Sequence, residues 1–238
     1  KVIYSPKLLQ LSNEEVNIMK SKFVFELMYI SGNENNQYLG PPKNALVFDD
    51  RVELTFKKKY IKTIYYSDLL DYTISVTQNR EGADYYLIVL GNILFVGPKN
   101  PDTDIKNLAD YLFYFQHKLI AQKYDSLIAS FIPLASQYRE LKEKPQVSEE
   151  QRKYIVQANL FNEDKQYTKA IERYLKAIET HQTSYPAAYT NLALLSAQIN
   201  KYYDAIYYMK KYLLLEPEAA DARNARDKIY EWEARLNL

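Results

Sequence analysis

The last third of the chain repeats a pattern of small and large apolar residues at an interval of thirty-five positions. Ala158 and Ala170 in the first copy recur as Ala193 and Ala205 in the second. Three further positions match in the same way, with Tyr167, Ile171 and Tyr174 recurring as Tyr202, Ile206 and Met209. A period of this length is typical of stacked pairs of helices, because a single pair cannot bury its own apolar face. The repeat therefore predicts a helical array with a concave surface suited to holding proteins or peptides.

The composition excludes several classes of function. The chain has 238 residues, of which 47% are hydrophobic, and this is enough for at least one sizeable core. Its 31 basic and 30 acidic side chains nearly cancel, whereas nucleic-acid-binding modules carry a clear basic excess, so no nucleic-acid partner is expected. The absence of cysteine excludes thiolate nucleophiles and zinc–thiolate sites. Only five glycines are present and no glycine-rich phosphate loop is found, so no cofactor is expected.

The cell compartment depends on what preceded the first residue. The apolar runs over 85–90 and 93–96 have the length of strands and are too short to span a membrane. Lys1 is not a methionine, which indicates that an upstream segment was removed by a peptidase or by a cloning choice. A removed export signal would suit a bacterial protein that is periplasmic or anchored at a membrane by a lipid. Without such a signal, a cytoplasmic protein is expected.

The first half of the chain alternates between helix and strand signals. The capping box from Ser12 to Glu15 predicts a helix over 13–29, and turn-forming residues predict a loop over 31–44. A period of two then predicts one strand over 46–56, another over 61–66 and a third near 70–76. Residues 85–90 and 93–97 predict a hairpin around Gly91 and Asn92. A helix begins near Thr103 and carries a wide apolar stripe formed by Ile105, Leu108, Ala109, Leu112, Phe113, Phe115 and Leu119.

This order of elements predicts an α+β unit in which an antiparallel sheet is closed by a long helix. Residues 45–123 resemble a pleckstrin-homology-like domain in their element order and in the stretch over 64–69. In lipid-binding members of that family, basic residues on the first hairpin clamp inositol phosphates, and the resemblance assigns this role to Lys57, Lys58, Lys59 and Lys62. The arginine that the family pattern requires after the second basic position is absent here. A solvated hairpin tip that discourages edge pairing is the simpler interpretation.

A linker and a new capping signal separate the two halves. Residues 124–142 predict another helix, which Pro133 kinks or splits. Residues 142–148 predict a linker, and the capping box from Ser148 to Gln151 begins a helical pattern that predicts five helices to the end of the chain. We therefore predict three parts, with an α+β domain over 1–123, a connecting helix and linker over 124–147, and a helical array over 148–238.

The helical array resembles the tetratricopeptide repeat family. Residues 154–182 and 189–217 are the two copies. The family pattern is matched in the first copy by Tyr154, Ala158, Phe161, Ala170, Tyr174 and Ala177, and in the second by Tyr189, Leu192, Ala193, Ala205, Met209 and Pro217. Gln157, Ser196 and Tyr212 depart from it. The last stretch, over 219–236, resembles the capping helix that such arrays require, and we expect the helix over 124–142 to pack onto the first copy.

The family register predicts which residues line the concave groove. They are Ile155, Asn159, Asn162, Thr190, Leu194 and Gln198. Ile155 and Leu194 stand where carboxylate-binding members have polar groups, so a mixed apolar groove for a helix or an extended peptide fits better. A stripe of tyrosines exceeds what one core face needs, and we expect part of it to form a second contact surface; it comprises Tyr202, Tyr203, Tyr207, Tyr208 and Tyr212.

No constellation for catalysis or metal binding is apparent in the sequence. His117 and His181 have no nucleophile or second ligand at a meaningful spacing. The acidic cluster at 102–104 lacks the central glycine and distal glutamate of a calcium loop, and helix capping explains it better. We therefore expect a non-enzymatic adaptor or scaffold that holds a protein or peptide partner, without metal or cofactor. The alternative is lipid or small-ligand binding through the N-terminal domain, with the repeats as scaffold.

Overall fold

The computed structural model describes residues 2–4, 14, 43–48, 50–56, 60–69, 72–78, 85–90, 93–98 and 104–236. Two compact units are present, Lys1–Ile120 and Ala121–Leu238. The helix predicted over 13–29 lies outside the described residues except for Glu14. No helix in the described ranges is both long enough and apolar enough to cross a membrane.

The first unit contains two antiparallel sheets. One has four strands in the order β1-β5-β6-β7, and the other has three in the order β2-β3-β4. The strands are β1 (Val2–Tyr4), β2 (Asn44–Val47), β3 (Arg51–Thr55), β4 (Ile61–Tyr65), β5 (Val76–Thr77), β6 (Tyr85–Leu90) and β7 (Ile93–Pro98). Burial alternates along β3, where Val52 and Leu54 are buried between half-buried neighbours, because successive side chains point to opposite faces of a sheet.

Two strand predictions were wrong in detail, and the strand predicted over 61–66 is confirmed as β4. The strand predicted over 46–56 is a hairpin, in which β2 and β3 pair from Asn44↔Thr55 to Val47↔Val52. The chain turns between these strands, where the amide of Phe48 donates to the carbonyl of Arg51 at 2.9 Å, and this turn interrupts the alternating pattern. The strand predicted near 70–76 is replaced by a 3₁₀ turn over Tyr66–Leu69 and the two-residue strand β5. The hairpin predicted over 85–97 is confirmed as β6 paired with β7.

One core joins both sheets to the first half of the long helix α1 (Asp104–Glu140). The predicted apolar stripe supplies its helical side, since Ile105, Leu108 and Phe115 are buried there. Tyr66 follows β4 and stacks on Phe115 with ring centroids 5.0 Å apart. The α+β class of this half is therefore confirmed.

Helix α1 is continuous where the sequence predicts two helices. It runs from Asp104 to Glu140 without a break, so no separate helix begins at Tyr124. Pro133 stands inside it and is exposed. A proline removes one backbone donor and displaces a carbonyl one turn earlier, and solvent can bind that carbonyl on an exposed face.

The five helices predicted after residue 148 are confirmed. They are α2 (Glu149–Glu163), α3 (Tyr167–Thr180), α4 (Ala187–Gln198), α5 (Tyr202–Leu215) and α6 (Ala222–Leu236). Ser148 caps α2, because its Oγ accepts the amide of Gln151 at 3.1 Å. Each helix packs against the next, so α2–α3 and α4–α5 are two hairpins and α6 follows them.

The turns inside the two hairpins share a backbone conformation and a hydrogen bond. Lys165 and Asn200 stand thirty-five positions apart, and each has a positive φ of 59°. The amide of Gln166 binds the carbonyl of Phe161 at 2.8 Å, and Lys201 binds Ser196 in the same way at 2.9 Å. The sequences of the two turns differ, so the shared geometry belongs to the repeat itself. The C-terminal unit is therefore an array of helical-repeat type.

The second half of α1 lies along the second hairpin. Tyr124 donates to Asp204 at the start of α5, and Tyr138 donates to Glu216 just after its end at 2.5 Å. Phe131, midway between them, contacts Tyr189 of α4 with ring centroids 5.7 Å apart. We predicted contact with the first repeat, and these contacts are with the second. Phe131 and Tyr138 are buried by them, which explains the preference.

Candidate functional site

The predicted groove residues are divided between α2 and α4. Thr190, Leu194 and Gln198 follow one another at helical spacing along α4. Gln198 is exposed, and Leu194 is 42% exposed although the flanking Ala193 and Leu195 are buried. Thr190 and Gln198 stand one turn before and one turn after the exposed Leu194, so this side of α4 is a mixed apolar and polar surface. Helix α1 contacts α4 at Tyr189, and Leu194 and Gln198 remain exposed farther along α4.

On α2 the predicted groove residues have different surroundings. Ile155 is half-buried and packs against the core of the array. Asn159 and Asn162 are exposed. All three follow one side of the helix at spacings of three and four residues. Asn162 also supplies a backbone carbonyl to the turn, where it accepts the amide of Lys165 at 2.9 Å.

A hydrogen-bond chain connects the two groove helices through α3. Asn191 on α4 donates its side-chain amide to the hydroxyl of Tyr174 at 2.8 Å. That hydroxyl donates in turn to Oδ1 of Asn159 on α2 at 2.5 Å. Tyr174 itself is buried, and burial raises its pKa to about 12. Asn159 therefore helps to fix the spacing of the helices beneath the groove, and its amide oxygen is already engaged.

Thr190 adds an unusual feature to the floor of the groove. Its Oγ1 is buried and has no hydrogen-bond partner in the described part of the chain. Most buried hydroxyls in proteins are paired. The groove helix α4 thus combines an exposed leucine with an unsatisfied hydroxyl one turn before it.

Gln151 joins the start of α2 to the end of α3 and to the turn that follows it, a role that the sequence pattern did not indicate. It is fully buried near the start of α2 and donates to the carbonyls of Ala177 at 2.9 Å and His181 at 3.1 Å. Ser184 donates to its Oε1 at 2.6 Å. The last carbonyls of a helix have no partner within it, so Gln151 satisfies the end of α3 from outside. The sequence did not indicate this burial, because Gln151 stands at the last position of a capping box, where the side chain usually faces solvent.

A buried lysine was also missed. Lys211 on α5 is 8% exposed, and burial lowers its pKa to about 8. Its ammonium lies 4.2 Å from the ring centroid of Phe131 and 5.1 Å from those of Tyr189 and Tyr207. No acidic partner binds it within the described residues. Three ring faces therefore provide the attraction that an ion pair would give.

Most tyrosines of the stripe on α5 pack against other parts of the second unit. Tyr124 of α1 stacks on Tyr203 and contacts Tyr207, while Tyr212 is buried and donates to Asp221 at 2.5 Å. Tyr202, Tyr203, Tyr207 and Tyr208 are half-buried. A cavity of about 80 Å³ beside them is lined by α1, α5 and α6. It is far smaller than the roughly 300 Å³ at which small-molecule sites begin.

Only one of the basic residues of the alternative ligand site is described. Lys57, Lys58 and Lys59 lie outside the described residues. Lys62 is half-buried on β4, opposite the buried Leu54 of β3, and burial lowers its pKa. An inward-facing lysine on an edge strand is a known device against edge-to-edge pairing.

The two histidines have local structural surroundings. Nδ1 of His181 accepts the amides of Thr183 and Ser184 at 3.3 and 3.2 Å, which shapes the turn between the hairpins. His117 lies in α1 with its ring centroid 4.0 Å from that of Phe113, and burial lowers its pKa to about 4. No group of three or more potential metal ligands is found in the described ranges.

Fold and surface together define a class, an α+β unit followed by an array of helical-repeat type with an open face on α2 and α4. Comparisons with protein-family models, with curated proteins and with solved structures find no match to this chain.

Proposed function

We propose that this chain is a non-enzymatic interaction module or scaffold, and that the face of α2 and α4 holds a peptide or helix of a partner protein. The observation that carries the proposal is Leu194, which stays 42% exposed in the middle of α4 while Ala193 and Leu195 beside it are buried. Exposed amide groups of Gln198 and Asn162 accompany it. An apolar anchor point with amides around it suits both modes of peptide recognition, an amphipathic helix or an extended strand.

Features that are expected of tetratricopeptide repeats support the same proposal. Two helical hairpins have the same turn geometry at Lys165 and Asn200, and small residues are fully buried at equivalent places in both. These are features expected of tetratricopeptide repeats, whose first helices line the concave side. In the first unit, the shared core of two sheets and α1 is compatible with a pleckstrin-homology-like arrangement. We assign the binding function to the array, because the exposed Leu194 lies at a position that the resemblance to tetratricopeptide repeats places on the concave side.

The test uses a displayed library of random peptides selected on the wild-type chain. Selected peptides are then measured against Leu194→Arg, which places a charge at the centre of the groove. We expect their affinity to fall about tenfold or more, as it does when a central apolar contact is lost.

The matched control is Tyr230→Arg. Tyr230 is 63% exposed on α6 and lies outside the proposed groove, so the same peptides should bind this variant like the wild type. Equal binding to the wild type and to Leu194→Arg would place the binding surface elsewhere. A failure to select any peptide would count against peptide binding by this face.

A further inference from the structure

Helix α2 has a second apolar face, which is distinct from the groove. Val156 is 58% exposed and Leu160 is 55% exposed. They stand two residues before and two residues after Ala158, which is buried against the core, so they lie on the opposite side of the helix. Aliphatic side chains with this exposure, one turn apart, leave unfavourable apolar surface in water.

The repeat itself shows what normally covers this face. The residues thirty-five positions after Val156, Gln157 and Leu160 are Asn191, Leu192 and Leu195 on α4. Leu192 is fully buried and Leu195 is 4% exposed, because the first hairpin packs against them.

In the first copy, no helix covers the corresponding face within the described residues. Oε1 of Gln157 is buried there without a hydrogen-bond partner in the described ranges. This face of α2 is therefore exposed at the positions where the second copy packs against a neighbouring helix.

Charges at the two ends of this face identify a suitable occupant. Lys153 stands five residues before Ala158, and Glu163 stands five residues after it. Both are exposed, and neither forms an ion pair or hydrogen bond within the described residues. Residues 153, 156, 160 and 163 follow the three- and four-residue spacing of one helix face. The face therefore carries a positive end, an apolar centre and a negative end, placed symmetrically about Ala158.

We propose that this face of α2, formed by Lys153, Val156, Leu160 and Glu163, is the contact between two copies of this chain. Two α2 helices run antiparallel about a two-fold axis at the level of Ala158. Val156 then contacts the partner's Leu160, and Lys153 comes within reach of the partner's Glu163. A two-fold contact needs a surface that is complementary to itself, and this face meets that condition in both charge and apolarity.

The strength of the dimer follows from its size. A contact made by one helix from each copy buries less than the roughly 1,200 Å² of stable complexes. The dimer is therefore expected to be weak and to form only at high protein concentration. This inference does not depend on the proposed groove, because the groove residues of α2, which are Ile155, Asn159 and Asn162, follow a different side of that helix.

Sedimentation equilibrium of the full chain between about 10 µM and 1 mM tests the proposal. The wild type should dimerise, and Leu160→Glu should remain monomeric, because it places two carboxylates in the apolar centre. Leu141→Glu is the matched control, since it makes the same change at a leucine that is 46% exposed and lies outside both the contact and the proposed groove, and it should dimerise like the wild type.

A charge exchange tests the antiparallel arrangement. Lys153→Glu and Glu163→Lys should each weaken dimerisation about fivefold, because each single change places like charges opposite each other. The double variant should return to within about twofold of the wild type. A wild type that stays monomeric at about 1 mM, or a double variant as weak as the single ones, would overturn the proposal.

Discussion

At the scale of single residues, side-chain amides hold neighbouring helices of the array together. Gln151 satisfies the end of α3 and the following turn, and Asn159 shares the hydroxyl of Tyr174 with Asn191. Each such bond adds about 1 kcal/mol when formed and costs more when one partner is removed, because the other stays buried. Buried amides therefore fix how one hairpin sits on the next.

Lys211→Met should stabilise the protein at neutral pH by about 1–2 kcal/mol, because it removes a buried charge without an acidic partner. The pKa of Lys211 is lowered to about 8 in the folded chain, so between about pH 8 and 9.5 the unfolded chain binds the extra proton. Wild-type stability should therefore rise with pH in that window, and the variant should not show this rise. Urea unfolding at several pH values measures both effects.

The same substitution at the adjacent lysine provides the control for that prediction. Lys210→Met alters the neighbouring lysine, which is half-buried and lies outside the ring of aromatic side chains. It should leave the pH dependence between about pH 8 and 9.5 unchanged. If Lys211→Met lowers stability at pH 7, the ring contacts outweigh the cost of burying the charge.

At the scale of elements, the hairpin turns explain why two dissimilar sequences form the same unit. Lys165 and Asn200 both adopt the left-handed conformation that ends a helix, which asparagine tolerates better than lysine does. The periodic apolar pattern predicted all five helices after residue 148 correctly. It did not predict the continuity of α1, because the sequence rule for proline takes no account of an exposed carbonyl that water can bind.

Exchanging the two turn residues should have opposite effects on stability. Lys165→Asn should raise the thermal midpoint by about 2–4 °C, and Asn200→Lys should lower it by a similar amount, since the φ of 59° is the same at both. Calorimetry of both variants and of the double exchange measures this. If both single variants shift the midpoint in the same direction, side-chain contacts rather than backbone conformation determine the stability of these turns.

At the scale of the whole molecule, the second unit contains a large group of buried and half-buried tyrosines. Burial raises the pKa of a group of tyrosines there, namely Tyr124, Tyr138, Tyr174, Tyr189, Tyr203, Tyr207, Tyr208 and Tyr212. Several of them also donate to carboxylates, as Tyr138 does to Glu216. The folded second unit therefore favours the protonated, neutral form of these hydroxyl groups.

Alkaline pH should unfold this unit cooperatively near pH 11. Each buried tyrosine keeps its proton above pH 10 while the unfolded chain loses it, so the stability that these groups contribute falls as pH rises. A loss of about 1.4 kcal/mol per pH unit for each such group soon exceeds the total stability of a domain. Tyrosinate absorbance and helical circular dichroism should therefore change together. A gradual absorbance rise at pH 10 with unchanged circular dichroism would contradict this.

The sequence alone determined the α+β class, the helical pattern after Ser148 and the alignment of the two hairpins, because apolar periodicity and capping are local properties. The resemblance to tetratricopeptide repeats also predicted Leu194 as a groove residue, and Leu194 is exposed on α4. Only the tertiary structure decided that the second half of α1 lies along α5, that Lys211 is enclosed by three aromatic rings and that Gln151 binds the end of α3. These features arise from contacts between residues distant in the chain, where burial and shape compete, and no local pattern records their outcome.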